Sequence, residues 1–243
     1  MRHSTTFLMS LIVASILVLM FLNLVLGSVS IPLKSVWNII CGLGDERVTW
    51  QNIVWKSRLP QALTALVAGA GLAISGLQMQ TVFRNPLAGP SVLGISSGAS
   101  MGVAFVVLLS GSLGGVALSK LGFMGEIALS IAAVIGSLSV MALIVYVSQK
   151  VKGNVTLLII GVMIGYVANA VIGVLKFFSV EEDIRAYVIW GLGSFSRVSG
   201  NQMMLFVAIM AILIPLSFLL IKTLNLMLLG DGYARNLGLN IKR

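Results

Sequence analysis

Residues 59–90 read LPQALTALVAGAGLAISGLQMQTVFRNPLAGP. From Leu59 to Phe83 the stretch carries no charge. It is long enough to cross a bilayer as a helix, which takes about 20 mostly apolar residues. Pro60 suits the first helical turn, where its missing N–H costs nothing. Ala62, Gly69 and Gly76 recur every seven residues, and Ala65, Gly69 and Ala73 every four. Small residues at these intervals let a second helix approach closely, because packing rather than hydrophobicity holds helices together in lipid. Arg84-Asn85-Pro86-Leu87-Ala88-Gly89-Pro90 then ends the helix, since two prolines so close together do not fit a regular helix interior.

The same reading extends outward in both directions. Phe7–Gly27 is a first span behind a short basic start, with a cleaved signal peptide as the alternative; its apolar run exceeds the usual signal core of about 7–15 residues. Ser28–Ser57 mixes Pro32, Lys34, Trp37, Asp45, Glu46, Arg47, Trp50 and Trp55, and reads as an extramembrane connector with a short interfacial helix. After the break a short third span runs from Ser91 to Ser110. Gly94, Gly98 and Gly102 form a doubled GxxxG on it, beside Ser96, Ser97 and Ser100. Further spans are expected at Ile127–Val147, Val155–Leu175 and Gln202–Ile221, with Pro215 as a kink in the last. In the fifth, Gly161, Gly165, Asn169 and Gly173 lie four apart, and Asn169 is expected to face the bundle as an interhelical hydrogen bonder. Lys176–Gly200 reads as a loop with one short helix, and Lys222–Arg243 as an amphipathic segment outside the lipid. The expected fold is all-α, a polytopic bundle crossing the membrane about six times.

Composition agrees. Apolar residues make up 58% of the 243 and charged residues 9%, against roughly 25% in soluble domains. The net charge of +9 comes from cations scattered between apolar runs, with no basic patch and interleaved aromatics, so nucleic acid is excluded as a partner. Cys41 is the only cysteine and His3 the only histidine, which excludes an internal disulfide and a Cys- or His-based metal site. There is no GxxxxGK[ST], HExxH or GxSxG motif and no pair of intramembrane carboxylates; Glu126 reads as a solvated rim residue. No cofactor and no catalytic residue are expected. With the N-terminus inside, half of the 16 Lys and Arg fall on each side, so charge bias does not orient the chain; of the 7 acids only Asp231 would lie inside.

In order along the chain stand Arg58-Leu59-Pro60, the small-residue run Gly69 to Gly76, Gln80, Arg84-Asn85-Pro86-Leu87-Ala88, Pro90, Leu93-Gly94 and Ser97-Gly98-Ala99. Together they resemble the FecCD family, the permeases of ABC importers for iron–siderophores, haem and vitamin B12. Leu229-Gly230-Asp231-Gly232-Tyr233-Ala234-Arg235-Asn236-Leu237-Gly238-Leu239 is similar to that family's cytoplasmic coupling loop; taken alone it would read as a surface cap. The resemblance covers essentially the whole chain. Gly232 departs from it, standing where many relatives carry an acidic or larger residue.

The resemblance implies a type II importer permease in the inner (cytoplasmic) membrane, with the N-terminus and residues 222–243 cytoplasmic. It implies a second permease copy, an ATPase dimer inside and a substrate-binding protein outside. Leu229, Gly230, Asp231, Ala234, Arg235, Leu237 and Gly238 would engage the ATPase. Arg84, Asn85, Pro86, Leu87, Ala88 and Pro90 form either a plain loop or a bend that sets the third span beside the pathway. Gly69, Gly76, Gly94, Gly98, Gly102, Gly161, Gly165 and Asn169 are expected mainly to pack helices. The family has about ten spans. The chain therefore reads as the N-terminal portion of a single permease domain, and by itself is expected not to transport. A membrane-embedded enzyme or a passive channel is the competing class; the first lacks a catalytic constellation and the second has no use for a coupling segment.

Overall fold

The computed structural model describes residues 2–43, 46–112, 123–151 and 153–238. Among these, all regular structure is helical: α1 (Arg2–Val25), α2 (Leu33–Cys41), α3 (Val48–Ile53), a π-helical turn (Val54–Arg58), α4 (Leu59–Phe83), α5 (Ile95–Ser112), α6 (Phe123–Ser148), α7 (Asn154–Phe177), α8 (Glu181–Gly191), a 3-10 turn (Phe195–Arg197), α9 (Gly200–Phe218), α10 (Ile221–Leu228) and α11 (Asp231–Asn236). Among the described residues, five helices are long and apolar enough to cross a membrane, and a sixth, Ile95–Leu109, is apolar but shorter. Six apolar helices thus stand at the six expected places, five of full length. Their outward faces are aliphatic, as on α1 at Leu8, Leu11, Val18 and Leu22. Helices of this kind satisfy every backbone polar group within themselves, which the bilayer interior requires.

Two boundaries differ from expectation. The second half of the connector is not a loop: α3, the π-turn and α4 form one helix of 36 residues, Val48–Phe83. Pro60 therefore lies inside a helix instead of opening one. It cannot donate to the carbonyl four residues back and its ring crowds that carbonyl. The wider turn, in which the Leu59 N–H bonds to the Val54 carbonyl, sits directly before it. The third span begins at Ile95 rather than Ser91, because Pro90–Gly94 is a run of turns ending at Gly94 with φ +73°. The stretch after α7 carries the one short helix expected of it, α8, whose first turn holds Glu181, Glu182 and Asp183 where the helix dipole favours acids. α9 opens with a capping box: Ser199 Oγ accepts from Gln202 N–H, and Gln202 Oε1 accepts from Ser199 N–H.

The chain divides into two compact units, residues up to Leu72 with Ser194–Leu219, and Ala73–Gly193 with the segment from Leu220 onward. In the first, Leu24, Ile31, Val36, Ile39, Val54 and Ala62 form a core between the end of α1, α2 and the π-turn. Arg58 is 4% exposed within this unit. Its Nη1 donates to the carbonyls of Leu24 (2.8 Å) and Val25 (2.7 Å), and its Nη2 to that of Val29. The last carbonyls of a helix have no partner within it, and a cation suits the negative end of its dipole. Arg58 supplies both. A Cβ on Gly27 would stand 2.9 Å from Arg58 Nη2, so the absent side chain makes room for the guanidinium.

In the second unit α5 is central, with α6, α7 and α8 packed around it. One core joins Phe83, Ala88, Leu93, Val140, Ile144 and Leu158; another joins Val103, Ala104, Val107, Leu108, Ile172 and Tyr187.

Candidate functional site

The break after α4 is a Schellman turn. Arg84 N–H bonds to the Thr81 carbonyl (3.3 Å) and Asn85 N–H to the Gln80 carbonyl (3.1 Å). The residue at the left-handed position of this motif is usually glycine; here it is Arg84, with φ 48°. A side-chain-bearing residue there costs roughly 1 kcal/mol relative to glycine. Asn85 Oδ1 accepts from Leu87 N–H (2.9 Å), and Gln80 Nε2 donates to the Pro86 carbonyl (3.0 Å). The loop is thus held by its own polar side chains. Ala88 and Leu93 turn inward, 3% and 2% exposed, into the core with Val140, Ile144 and Leu158. Leu87 points out and is 81% exposed. Asn85 and Pro90 are half-buried, while Arg84 and Pro86 are exposed.

Arg84 reaches the tail of the chain: its Nη2 donates to the Met227 carbonyl at 2.8 Å. Met227 stands next to last in α10, and its carbonyl also accepts from Gly230 N–H (3.2 Å). Leu229 closes α10, Gly230 turns with φ +101°, and α11 follows until Gly238 turns again with φ +86°. Both glycines take a conformation that side chains rarely adopt. Leu229, Tyr233 and Leu237 are well exposed, at 59%, 71% and 60%, whereas Ala234 is fully buried. Ala234 therefore lies on the packed underside of the segment. The side chains of Asp231 and Arg235, and all of residues 239–243, lie outside what the structure describes.

The small-residue stripes separate into two groups. Along α5, a Cβ on Gly102 would meet the Ala132 carbonyl oxygen at 2.2 Å, and one on Gly98 the Gly136 carbonyl oxygen at 2.7 Å. On the other side, a Cβ on Gly94 would meet the Gly161 carbonyl oxygen at 2.7 Å, and one on Gly165 would lie 3.3 Å from Ser97 Oγ. α5 therefore touches α6 backbone to backbone, and the turn at Gly94 just before α5 touches α7 in the same way. Gly69 and Gly76 of α4, by contrast, have no described atom within 4 Å of an added Cβ. Among the described residues they have no packing partner, as suits faces that pack on helices outside this chain. Asn169 is exposed as well. The inward face of α7 is Leu158, Gly161, Gly165, Ala168 and Ile172, and Asn169 is turned away from it by one residue.

Sequence reasoning missed other groups. Arg58 stood out only as part of a motif, with no role. Asp183 is 7% exposed and its Oδ2 has no hydrogen-bond partner among the described residues. One turn on, Tyr187 lies with Lys176 Nζ 4.8 Å above its ring. Burial pushes the Tyr187 phenol above its ordinary pKa, opposed by a hydrogen bond with Ser100. The i, i+4 spacing of Asp183 and Tyr187 was the available signal. An open groove of about 520 Å³ runs between α5 and α6, lined by Met101, Phe105, Ile131 and Ile135 among others; none of the described residues that line it is charged. Among the described residues no three His, Cys, Asp or Glu gather where a metal could bind.

Comparison with known proteins places this geometry. The profile of the FecCD transport family matches residues 15–243. The hemin transport system permease protein HmuU of Yersinia pestis is 34% identical over 90% of this chain and 62% of its own length. A vitamin B12 import system permease protein, BtuC of Serratia proteamaculans, is 36% identical over 79% of this chain and 54% of its own. An iron chelatin transport system permease of Helicobacter pylori is 34% identical over 94% and 66%. Among solved structures, an inward-facing ABC transporter described as of metal-chelate type superposes with a TM-score of 0.74 at 25% identity, over 93% of this chain and 66% of that one. The chain thus spans between about half and two thirds of the length of the relatives it matches. With its apolar helices and this match over nearly its whole length, the chain is a multi-pass membrane protein of the FecCD transport family.

Proposed function

We propose that this chain forms part of the permease subunit of an ABC importer that carries a metal chelate across the inner membrane. The observation that carries the reading is the end of the chain, where a short helix, α11, is set between two left-handed glycines directly after the last apolar helix and α10. In a family of permeases, such an exposed short helix is suited to seat in a cleft of a separate ATPase. The sequence has no phosphate-binding loop of its own, so ATP hydrolysis falls to that partner. Two permease copies would face each other around the pathway, and a substrate-binding protein would deliver cargo from outside. The N-terminus and the α10–α11 segment are then cytoplasmic.

The transported chelate is an iron–siderophore in this proposal, with haem or cobalamin as the second reading, favoured by the relatives named for hemin and vitamin B12. The chain itself acts on no bond; it rocks between two openings as ATP closes the ATPase dimer. The open small-residue stripe at Gly69 and Gly76 fits a face that receives a helix from outside this chain.

Two measurements test the proposal. Uptake of labelled iron–siderophore, haem and cobalamin is compared in a strain lacking the full-length gene. Loss of iron–siderophore uptake alone supports the first reading, loss of one of the others the second, and loss of none counts against an importer. Leu237→Cys in the full-length permease should cross-link to the partner ATPase; absence of a cross-link in every nucleotide state would remove α11 from the interface.

A further inference from the structure

The break after α4 ends on a residue that its backbone does not favour. Arg84 occupies the left-handed position of a Schellman turn at φ 48°, where glycine would sit without strain. Such an outlier points to a use for the side chain. That side chain crosses 143 residues of sequence to the Met227 carbonyl. The carbonyl is not an arbitrary one. It lies in the last turn of α10, where the helix dipole is negative, and it also closes the turn to Gly230, the left-handed residue on which α11 is mounted. At its other end the Arg84 loop is anchored: Gln80 holds Pro86, Asn85 holds Leu87, and Ala88 and Leu93 are sunk among Val140, Ile144 and Leu158 of α6 and α7.

A continuous chain of contacts therefore runs from the mount of α11, through one arginine, to the end of α4 and the start of α5. We propose that Arg84 is a positioning residue that passes displacement of the α10–α11 segment to the helices of the bundle. Its hydrogen bond is exposed, so it exchanges with water at little cost and can be made and broken in a cycle. This rests on the reading of α10–α11 as the ATPase-engaging segment, and it goes beyond that reading by naming where the motion enters the bundle.

Arg84→Gly is the discriminating variant, because glycine relieves the backbone at this position and removes the reach to Met227. It is made in the full-length permease, assembled with its ATPase and binding protein in proteoliposomes. Substrate molecules transported per ATP hydrolysed are expected to fall about threefold or more, the range seen for coupling residues that touch no ligand. The thermal midpoint is expected to hold or rise. Arg84→Lys, which keeps a donor and the charge, should recover part of the ratio. A wild-type ratio in Arg84→Gly would overturn the inference.

A second readout needs no transport. Amide hydrogen exchange over residues 221–237 of the permease alone should quicken about fivefold in Arg84→Gly, the equivalent of one lost hydrogen bond. Unchanged exchange would also overturn the inference. If the wild-type complex showed no substrate-stimulated hydrolysis, the importer reading would fail, while the exchange result would still decide whether Arg84 holds α10.

Discussion

Arg58 and Arg84 do the same chemistry at two helix ends and differ in everything around it. Each donates to carbonyls at the C-terminus of a helix distant in sequence, α1 for Arg58 and α10 for Arg84. Arg58 is 4% exposed and is spread over three carbonyls. Arg84 is exposed, and it stands on a strained turn. A buried cation that lost its acceptors would leave charge and carbonyls uncompensated; an exposed one has water waiting. The first arrangement suits a permanent joint and the second a contact that opens.

The comparison breaks most easily at Arg58. Arg58→Ala should destabilise the full-length protein in detergent by about 3 kcal/mol, since hydrogen bonds from a charged donor are lost and three carbonyls left open. Arg58→Lys should restore only part, because an ammonium lacks the fork that spans several acceptors. A thermal midpoint unchanged in Arg58→Ala would end the claim of a permanent joint. Next comes Gly102→Ala. Its Cβ would press on the Ala132 carbonyl oxygen at 2.2 Å, backbone that cannot yield, for an overpacking cost of about 2 kcal/mol read by the same melt. Gly27→Ala follows at about 1 kcal/mol, since its Cβ meets the far end of the Arg58 side chain rather than backbone. The smallest effect belongs to Arg84→Ala, about 0.5 kcal/mol or less in the same melt, since its hydrogen bond to Met227 is exposed. A loss as large as that of Arg58→Ala would make the two arginines equivalent and remove the contrast.

The helices were legible because lipid imposes a simple rule, a long run without charge, and Leu59–Phe83 obeys it plainly. Where polar residues enter a helix the rule fails. Val48–Arg58 carries Lys56, Arg58 and two tryptophans, and its continuity with α4 was invisible for that reason. Glycine spacing marked stripes but not partners. Gly69 and Gly102 look alike in sequence, yet one has no described atom against it and the other a neighbouring backbone, because the difference lies in the tertiary arrangement. Asn169 was judged by its span and not by its angle around α7. The break and the tail were each recognisable as motifs. That Arg84 of the one touches Met227 of the other is a contact over 143 residues, which no local pattern records.

The Arg58 joint also has a place in time. α1 leaves the ribosome with its terminal carbonyls unmet, and their donor follows 34 residues later. At about 5–20 residues per second that is a wait of roughly 2–7 s. When Arg58 arrives, the first helix and the start of the second apolar helix can lock before any of α5 to α9 has been synthesised. The newborn chain would then hold its first tertiary contact as a small two-helix module, onto which the later helices assemble.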